Sequence, residues 1–414
     1  MLDIQFIRQN LELCKEAAKN KNREVHWEKL LTLDDKRKEL IGKSDSFRSE
    51  RNTIAKERTE DAIVRGKKIK EALKAVEEEL RVVEEELNIL LLTVPNVPDK
   101  SVPIGKDESG NVEVKKWGTL PHFDFPVKDH IELAKSLDLI DLERGAKVGG
   151  FRAYFLKNEG ALLEFAMLMY AFQTLVSKGY TPIMAPSLVK EFTLFGNGQL
   201  PWGRDEVYHL EKDDQYLAGT AEVPVTAYFS DEVLKEEDLP KKFVAFSPCF
   251  RREAGSYGKD TKGLYRLHQF NKIEQVIIAP NDMSNSFTLH EELLQNSEEI
   301  LQSLNLPYRV LLMCTGDMGE PQVKKYDIET WMPGRNAYGE TMSNSVMGDF
   351  QARRLKIRYR AKDGTMKYCH TLNNTAIASP RILIPLLENY QQKDGTVKIP
   401  DVLQTLVGKK EIRR

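Results

Sequence analysis

FRREAGSYGKDTKGLYRLHQFNKIEQ (residues 250–275) places three arginines and two glutamates among aromatic and aliphatic residues, with glycines at 255, 258 and 263. On both sides of the glycines, apolar and polar residues alternate. That pattern predicts two antiparallel strands joined by a glycine-rich turn, with Arg251 and Glu253 on the outgoing strand and Glu274 on the returning one. Phe250, Leu267 and Phe270 would fix the hairpin. Charges interleaved with such residues suit the wall of a site better than a solvated hairpin.

The chain around this stretch has 414 residues, enough for two or three domains, and is 41% hydrophobic. Its net charge of −2 gives no global basic field, so any nucleic-acid surface must be local. Cys14, Cys249, Cys314 and Cys369 are scattered. With no CxxC or Cys/His cluster, zinc is not expected, and free thiols fit a reducing compartment. MLDIQFIRQN lacks the features of a signal peptide, and the longest apolar run, ALLEFAMLMYAF (161–172), is short and contains Glu164. A cytoplasmic protein without a membrane span is expected.

Towards the N-terminus, Ile69, Leu73, Val76, Leu80, Val83, Leu87, Leu90 and Val94 recur at spacings of four and three, the seam of a coiled coil. Leu33, Leu40, Phe47 and Ile54 repeat every seven residues, but Arg37, Ser44 and Arg51 occupy the companion positions. Two helices folded back on each other over about 30–95, with a turn near 59–66 and Gly66 as breaker, are predicted. Residues 48–74 carry nine Lys/Arg against five Asp/Glu, whereas 77–86 are strongly acidic. A basic tip on an acidic stalk suits a phosphate backbone. Three prolines and two glycines in 93–111 then end the helix. The expected organisation is an N-terminal domain at 1–100, a linker at 101–120 and a larger domain at 121–414. The larger domain's mixture of strands, hairpins and helices reads as α+β with an antiparallel sheet.

No P-loop, Rossmann fingerprint, GxSxG or HExxH is present. Four segments could converge instead: LAGTAEVP (217–224), the opening stretch, AYGETMSNSVMGDFQARR (337–354) and CHTLNNTAIASPRILIPLLENYQ (369–391). Taken singly, each has an ordinary explanation as a turn, a cap or a surface ion pair.

Together they resemble the class II aminoacyl-tRNA synthetases: FRREAG followed by a glycine-rich loop and RLHQF looks like motif 2. TAEVP, HQFNKIE, LNNTAIASPRILIPLLENYQ, LDIQFIRQN, LLLTVPNVPDKSVPIGKDE and the arm narrow the resemblance to the seryl-tRNA synthetases over essentially the whole chain. It implies a class II catalytic domain on an antiparallel sheet flanked by helices, preceded by an antiparallel two-helix coiled-coil arm. The implied reaction joins L-serine to the α-phosphate of ATP, then transfers it to tRNA(Ser), held by its acceptor end and long variable arm, with tRNA(Sec) a further candidate. The alternative is a divergent paralogue that binds tRNA with altered or lost aminoacylation.

The resemblance implies residue roles in turn. Arg251 would bridge the α-phosphate and the serine carboxylate, and Arg381, the motif 3 arginine, would stand near the γ-phosphate; these two are the catalytic pair. Arg252, Glu253, Leu267, Phe270, Glu340, Thr341, Met342 and Ser343 complete the ATP site, with Glu340 and Ser343 holding Mg²⁺ with ATP. Thr220, Ala221, Glu222, Arg251, Glu274, Asn373 and Thr375 match serine-contacting positions. Arg51, Arg58, Lys67, Lys68 and Lys70 on the arm, with Lys259 and Lys262 in the motif 2 loop, would meet tRNA. Pro186, in IMAPSLV, matches the motif 1 proline of a homodimer interface. Two stretches depart from the family. Residues 340–346 read ETMSNSV where E-[IV]-S-S-C-S-N is common, and Trp202-Gly203 follow QLP where Lys-Phe is usual.

Overall fold

The heptad seam folds as two long helices. The computed structural model describes residues 1–57, 59–255 and 263–414, in two units, Met1–Val97 and Pro98–Arg414. The first unit contains α1 (Ile4–Gln9), α2 (Leu11–Asn20), α3 (Trp27–Ile54) and α4 (Glu60–Leu92). α3 and α4 run antiparallel: Leu30 packs with Leu87 and Leu91 at one end, and Ile54 with Ala62 and Ile69 at the other. Lys36–Glu79 at 2.6 Å and Arg48–Glu77 at 2.9 Å bridge them along the flank.

Polar residues interrupt the α3 seam because they are paired. Asp34 is fully buried and takes Arg8 at 2.5 Å, Arg37 at 2.9 Å and Lys38 at 2.9 Å. α3 ends at Ile54 and α4 begins at Glu60, so the chain reverses earlier than expected, and Gly66 sits inside α4. Thr59 starts that helix, its hydroxyl accepting from the Ala62 N–H at 3.2 Å, with Glu60 and Asp61 in the first turn. Those capping signals, with burial of Ala62 and Ile69, outweigh the roughly 1 kcal/mol that a helical glycine costs.

In the second unit an eight-stranded sheet runs in the order β1-β5-β6-β7-β8-β4-β3-β2. Its strands are β1 (Val112–Trp117), β2 (Thr181–Met184), β3 (Lys241–Phe250), β4 (Gln269–Ala279), β5 (Tyr308–Leu312), β6 (Lys324–Met332), β7 (Ala337–Gly348) and β8 (His370–Ser379). Every pairing is antiparallel except that of β2 with β3. Residues 101–120, proline-punctuated at their start, therefore include an edge strand of this sheet. The helices that matter for the site are α5 (His130–Ser136), α6 (Asn158–Ser177), α7 (Glu191–Asn197), α8 (Glu222–Thr226), α9 (Met283–Ser303), α10 (Phe350–Leu355) and α11 (Leu383–Asn389).

The period of two along β8 separates a covered face from an open one. His370 bonds Ser286 of α9 at 2.8 Å, and Asn374 donates to Ser297 at 2.8 Å. Leu372 joins the core between them. Thr371, Asn373 and Thr375 therefore face the other way. α6 is long and apolar enough by composition to cross a membrane. Its Leu163, Met167, Ala171 and Leu175 recur every four residues and pack into the core.

Candidate active site

Strand pairing on the β3 side stops at Phe250, opposite Gln269, so Arg251 and Glu253 lie past the strand end rather than on it. Arg251 turns inward: its N–H donates to the His268 carbonyl at 3.0 Å, and its Nε donates to the Gly219 carbonyl at 3.2 Å. Its guanidinium lies 5.2 Å from the centre of the Phe270 ring. Glu253 adopts a φ of +54°, unusual for a residue with a side chain, and its carboxylate accepts from Arg266 at 3.1 Å. These residues open onto a cleft of ≈ 230 Å³ lined by Arg251, Glu253, Leu267, Phe270, Glu340, Thr341, Met342, Ser343 and Arg381. Arg252 alone of the expected ATP positions stays outside, exposed and 5.9 Å from the Tyr208 ring centre.

The facing wall is braced by Arg381. Its Nε donates to the Tyr265 carbonyl at 3.0 Å, its Nη1 to the Glu340 carbonyl at 3.1 Å, and the guanidinium stacks 4.5 Å from the Tyr265 ring centre. Burial would raise the Glu340 carboxyl, but the positive charges of Arg381, Lys325, Arg251 and Arg266 outweigh it and hold the group below the usual carboxylate range. An ionised carboxylate and the Ser343 hydroxyl lining the same cleft are hard oxygen donors that fit Mg²⁺. Behind them, Lys325 pairs with Asp327 at 2.9 Å. Burial pushes the Asp327 carboxyl up against the pull of Lys325, and the Glu340 charge adds to the rise.

The unusual run 340–346 divides between two faces. Glu340 and Ser343 line the cleft, whereas Asn344 donates to the His290 carbonyl at 2.9 Å on the α9 side, and Val346 lies in the core. Ser345 accepts from Gln322 at 2.9 Å. At the other departure, Trp202 lies 5.4 Å from the guanidinium of Arg354, which donates to the carbonyls of Phe195 and Leu200.

A polar chain leads away from the cleft. Thr375 and Lys272 line it, and both reach Glu274: the Thr375 hydroxyl donates at 3.2 Å and Lys272 pairs at 2.5 Å. Lys272 also donates to the Thr220 hydroxyl at 2.7 Å, and Thr220 in turn accepts from the Glu222 N–H at 3.1 Å. Ala221 is buried between them. Burial and the Glu274 charge raise the Glu222 carboxyl, against Gln351, Asn197 and Lys272, which lower it. Asn373 is 6% exposed, and its Nδ2 has no partner among the described residues, a donor free for a ligand. Reading the sequence overlooked Lys272, Lys325 and Gln351. Lys272 carried a signal, since it stands two residues before Glu274 on the same strand face.

Arg51, Lys67, Lys68 and Lys70 are exposed near the arm's turn and form no ion pair among the described residues. Arg58, Lys259 and Lys262 lie outside the described residues. Pro186 is exposed just beyond β2. Beside it, Phe155, Phe165, Met169 and Met184 are 44%, 75%, 48% and 71% exposed and line an apolar hollow of ≈ 640 Å³.

Residues 207–390 match the family model of the tRNA synthetase class II core domain (G, H, P, S and T). With a cleft built by three separate segments on an antiparallel sheet, they define a class II aminoacyl-tRNA synthetase. Residues 1–98 match the seryl-tRNA synthetase N-terminal domain. The serine–tRNA ligase of Deinococcus radiodurans is 46% identical over 419 residues, covering 100% of this chain and 99% of that protein. Among solved structures, the seryl-tRNA synthetase of Pyrococcus horikoshii complexed with ATP matches with a TM-score of 0.93 at 38% identity, covering 100% of this chain and 99% of that one. The cytoplasmic serine–tRNA ligase of Naegleria fowleri in complex with AMP matches at 0.90 and 34%, with 100% and 99% covered. The chain belongs to the seryl-tRNA synthetase family.

Proposed function

We propose that the chain activates L-serine with ATP and transfers the seryl group to tRNA(Ser). The observation that carries this reading is the single cleft where Arg251, Arg381 and Glu340 meet, continuous with the polar chain through Thr375, Lys272 and Glu274. The serine carboxylate attacks the α-phosphorus, pyrophosphate leaves, and the 3′-terminal ribose hydroxyl of tRNA then displaces AMP from the acyl carbon. Negative charge gathers on phosphate oxygens, so fixed guanidinium groups serve better than an acid–base pair. Arg251, pinned to the Gly219 carbonyl, meets the α-phosphate and the carboxylate. Arg381 serves the γ-phosphate, and Phe270 offers its ring to the adenine. Glu340 and Ser343 would hold Mg²⁺, which neutralises phosphate charge when bound.

Glu274 already holds Lys272 and Thr375, so Glu274 and Thr375 read the serine hydroxyl. Glu222, raised by burial and by the Glu274 charge, gains most from a cation and takes the α-ammonium. Polar groups that require a hydroxyl reject alanine and glycine by about 10⁴–10⁵; threonine is excluded by shape. The exposed lysines and arginine of the arm meet the tRNA backbone. The apolar hollow beside Pro186 is covered by a second copy in a homodimer. Four buried, unpaired cysteines suit the cytoplasm. The paralogue reading gains nothing from the 340–346 run, whose Glu340 and Ser343 still face the cleft. Serine-dependent ATP–pyrophosphate exchange, followed by charging of total tRNA, tests the proposal. Purified protein without serine-dependent exchange refutes it.

A further inference from the structure

Gln351 lies in α10, one residue into its first turn, and is only 1% exposed. Its amide is fully engaged. The oxygen accepts from the Thr371 hydroxyl at 2.5 Å, and Nε2 donates both to the Asn197 carbonyl at 2.9 Å and to the Glu222 carboxylate at 2.8 Å. A primary amide has two N–H donors, so the Thr371 contact fixes which end faces Glu222. Three segments far apart in sequence are thereby tied together. They are the last residue of α7, the first residue of α8, and the open face of β8 that also carries Asn373 and Thr375. Close packing makes this reach possible: a Cβ on Gly196 would stand 2.1 Å from Leu355 Cδ2 of α10, so only glycine lets α7 approach.

The need for such a tether is electrostatic. Glu222 sits near Glu274, and both burial and that like charge favour its protonated form. A directed N–H favours the ionised form and holds Oε1 in one direction, with the Asn197 side chain acting on the same carboxylate.

We propose that Gln351 is a positioning residue for amino-acid selection: it orients the Glu222 carboxylate so that it captures the substrate's α-ammonium. The inference rests on the assignment of Glu222 to the ammonium, made above.

The test is serine-dependent ATP–pyrophosphate exchange on the full chain, with KM measured separately for serine and for ATP. Gln351→Met, similar in shape but without N–H donors, raises the serine KM roughly 10–100-fold, the loss expected for one hydrogen bond to a charge, and leaves the ATP KM within about twofold. In a double-mutant cycle, Gln351→Met adds no more than about twofold to Glu222→Gln, because its effect runs through that carboxylate. Thr371→Val removes the tether on the oxygen side while leaving Gln351 in place, and shifts the serine KM in the same direction by less. It keeps the proposal open to refutation should Gln351→Met fail to fold.

An unchanged serine KM in either folded variant overturns the proposal. So does an equal rise in both KM values, which marks a merely structural role, or an additive cycle. Loss of the underlying reading looks different: wild-type protein shows no serine-dependent exchange, or Glu222→Gln keeps its normal serine KM.

Discussion

Acid should loosen the catalytic unit through one buried histidine. The His290 ring on α9 is fully buried, stacks on Tyr326 with centroids 4.9 Å apart, and donates from Nε2 to the Asn344 carbonyl at 3.2 Å. Burial lowers its pKa from 6.5 to about 3, with Lys324 pushing the same way and the Asn344 carbonyl opposing. The sign follows from linkage. The unfolded chain binds the proton and the folded one refuses it, so the stability is present above about pH 6.5 and is lost as pH falls towards 3. Integrated between pH 7 and pH 5, this single group removes about 2 kcal/mol. His290→Gln keeps a donor for Asn344 but does not titrate. Urea unfolding followed by tryptophan fluorescence, at pH 7 and pH 5, should show the wild type losing about 2 kcal/mol more than the variant. Other titrating groups are common to both proteins and cancel in the difference. Equal losses would refute the reasoning. Because Asn344 lies one residue from Ser343, the wild type's serine-dependent exchange should fall further at pH 5 than the variant's.

Arg381→Ala should cut serine-dependent exchange by about 100-fold or more, and Arg381→Lys should not restore it, since an ammonium cannot reproduce the fork that reaches Tyr265 and Glu340 together. Replacing Lys67, Lys68 and Lys70 with Ala should raise the KM for tRNA and flatten its dependence on salt, by a log–log slope of roughly 2–3. Exchange without tRNA should be unchanged, and equal losses in both assays would reduce the arm to a structural element. Phe165→Glu combined with Met184→Glu should convert the particle to monomer in light scattering, and a particle of unchanged mass would place the dimer contact elsewhere. Asp34→Asn should weaken the N-terminal unit by about 2 kcal/mol, below the value for a sealed pair because Arg8 and Arg37 stay partly hydrated. Hydrogen exchange confined to residues 1–97 would register that loss, and unaltered protection would show that the cation cluster contributes little.

Regular spacing made the arm and the sheet legible. The four-and-three seam of α4 and the alternation around 241–279 are local patterns, and burial of one face is all they need. Cap chemistry, also local, was readable but misweighted: Gly66 looked like the breaker while Thr59, Glu60 and Asp61 marked the real start of α4. The strand at 112–117 escaped notice because the prolines before it read as a linker and because its pairing partner lies in Tyr308–Leu312. The tethers of the site are harder to foresee. Only the Lys272–Glu274 pair follows the strand period; Lys272 also binds Thr220, and Gln351 binds Asn197, Glu222 and Thr371, and no periodicity joins those positions.

The run at 340–346 shows how structure changes the weight of a departure in sequence. Read as a string, ETMSNSV differs from its family at several places at once. On β7 those places fall in two environments: Thr341 and Met342 line the cleft beside Glu340 and Ser343, whereas Asn344 and Val346 lie on the covered side. Ser343 opens to the cleft, while Asn344 closes a reciprocal pair with His290, the ring donating to the Asn344 carbonyl and the Asn344 amide donating to the His290 carbonyl. That pair holds β7 against α9 and so fixes the height at which Glu340 and Ser343 stand above the sheet. A change on the covered face can move the cleft only by shifting the strand, and here the strand is fastened on that face by two hydrogen bonds to His290, whose ring stacks on Tyr326 of the neighbouring β6. Divergence at Asn344 therefore acts on stability first, and on nucleotide binding only after that fastening is broken.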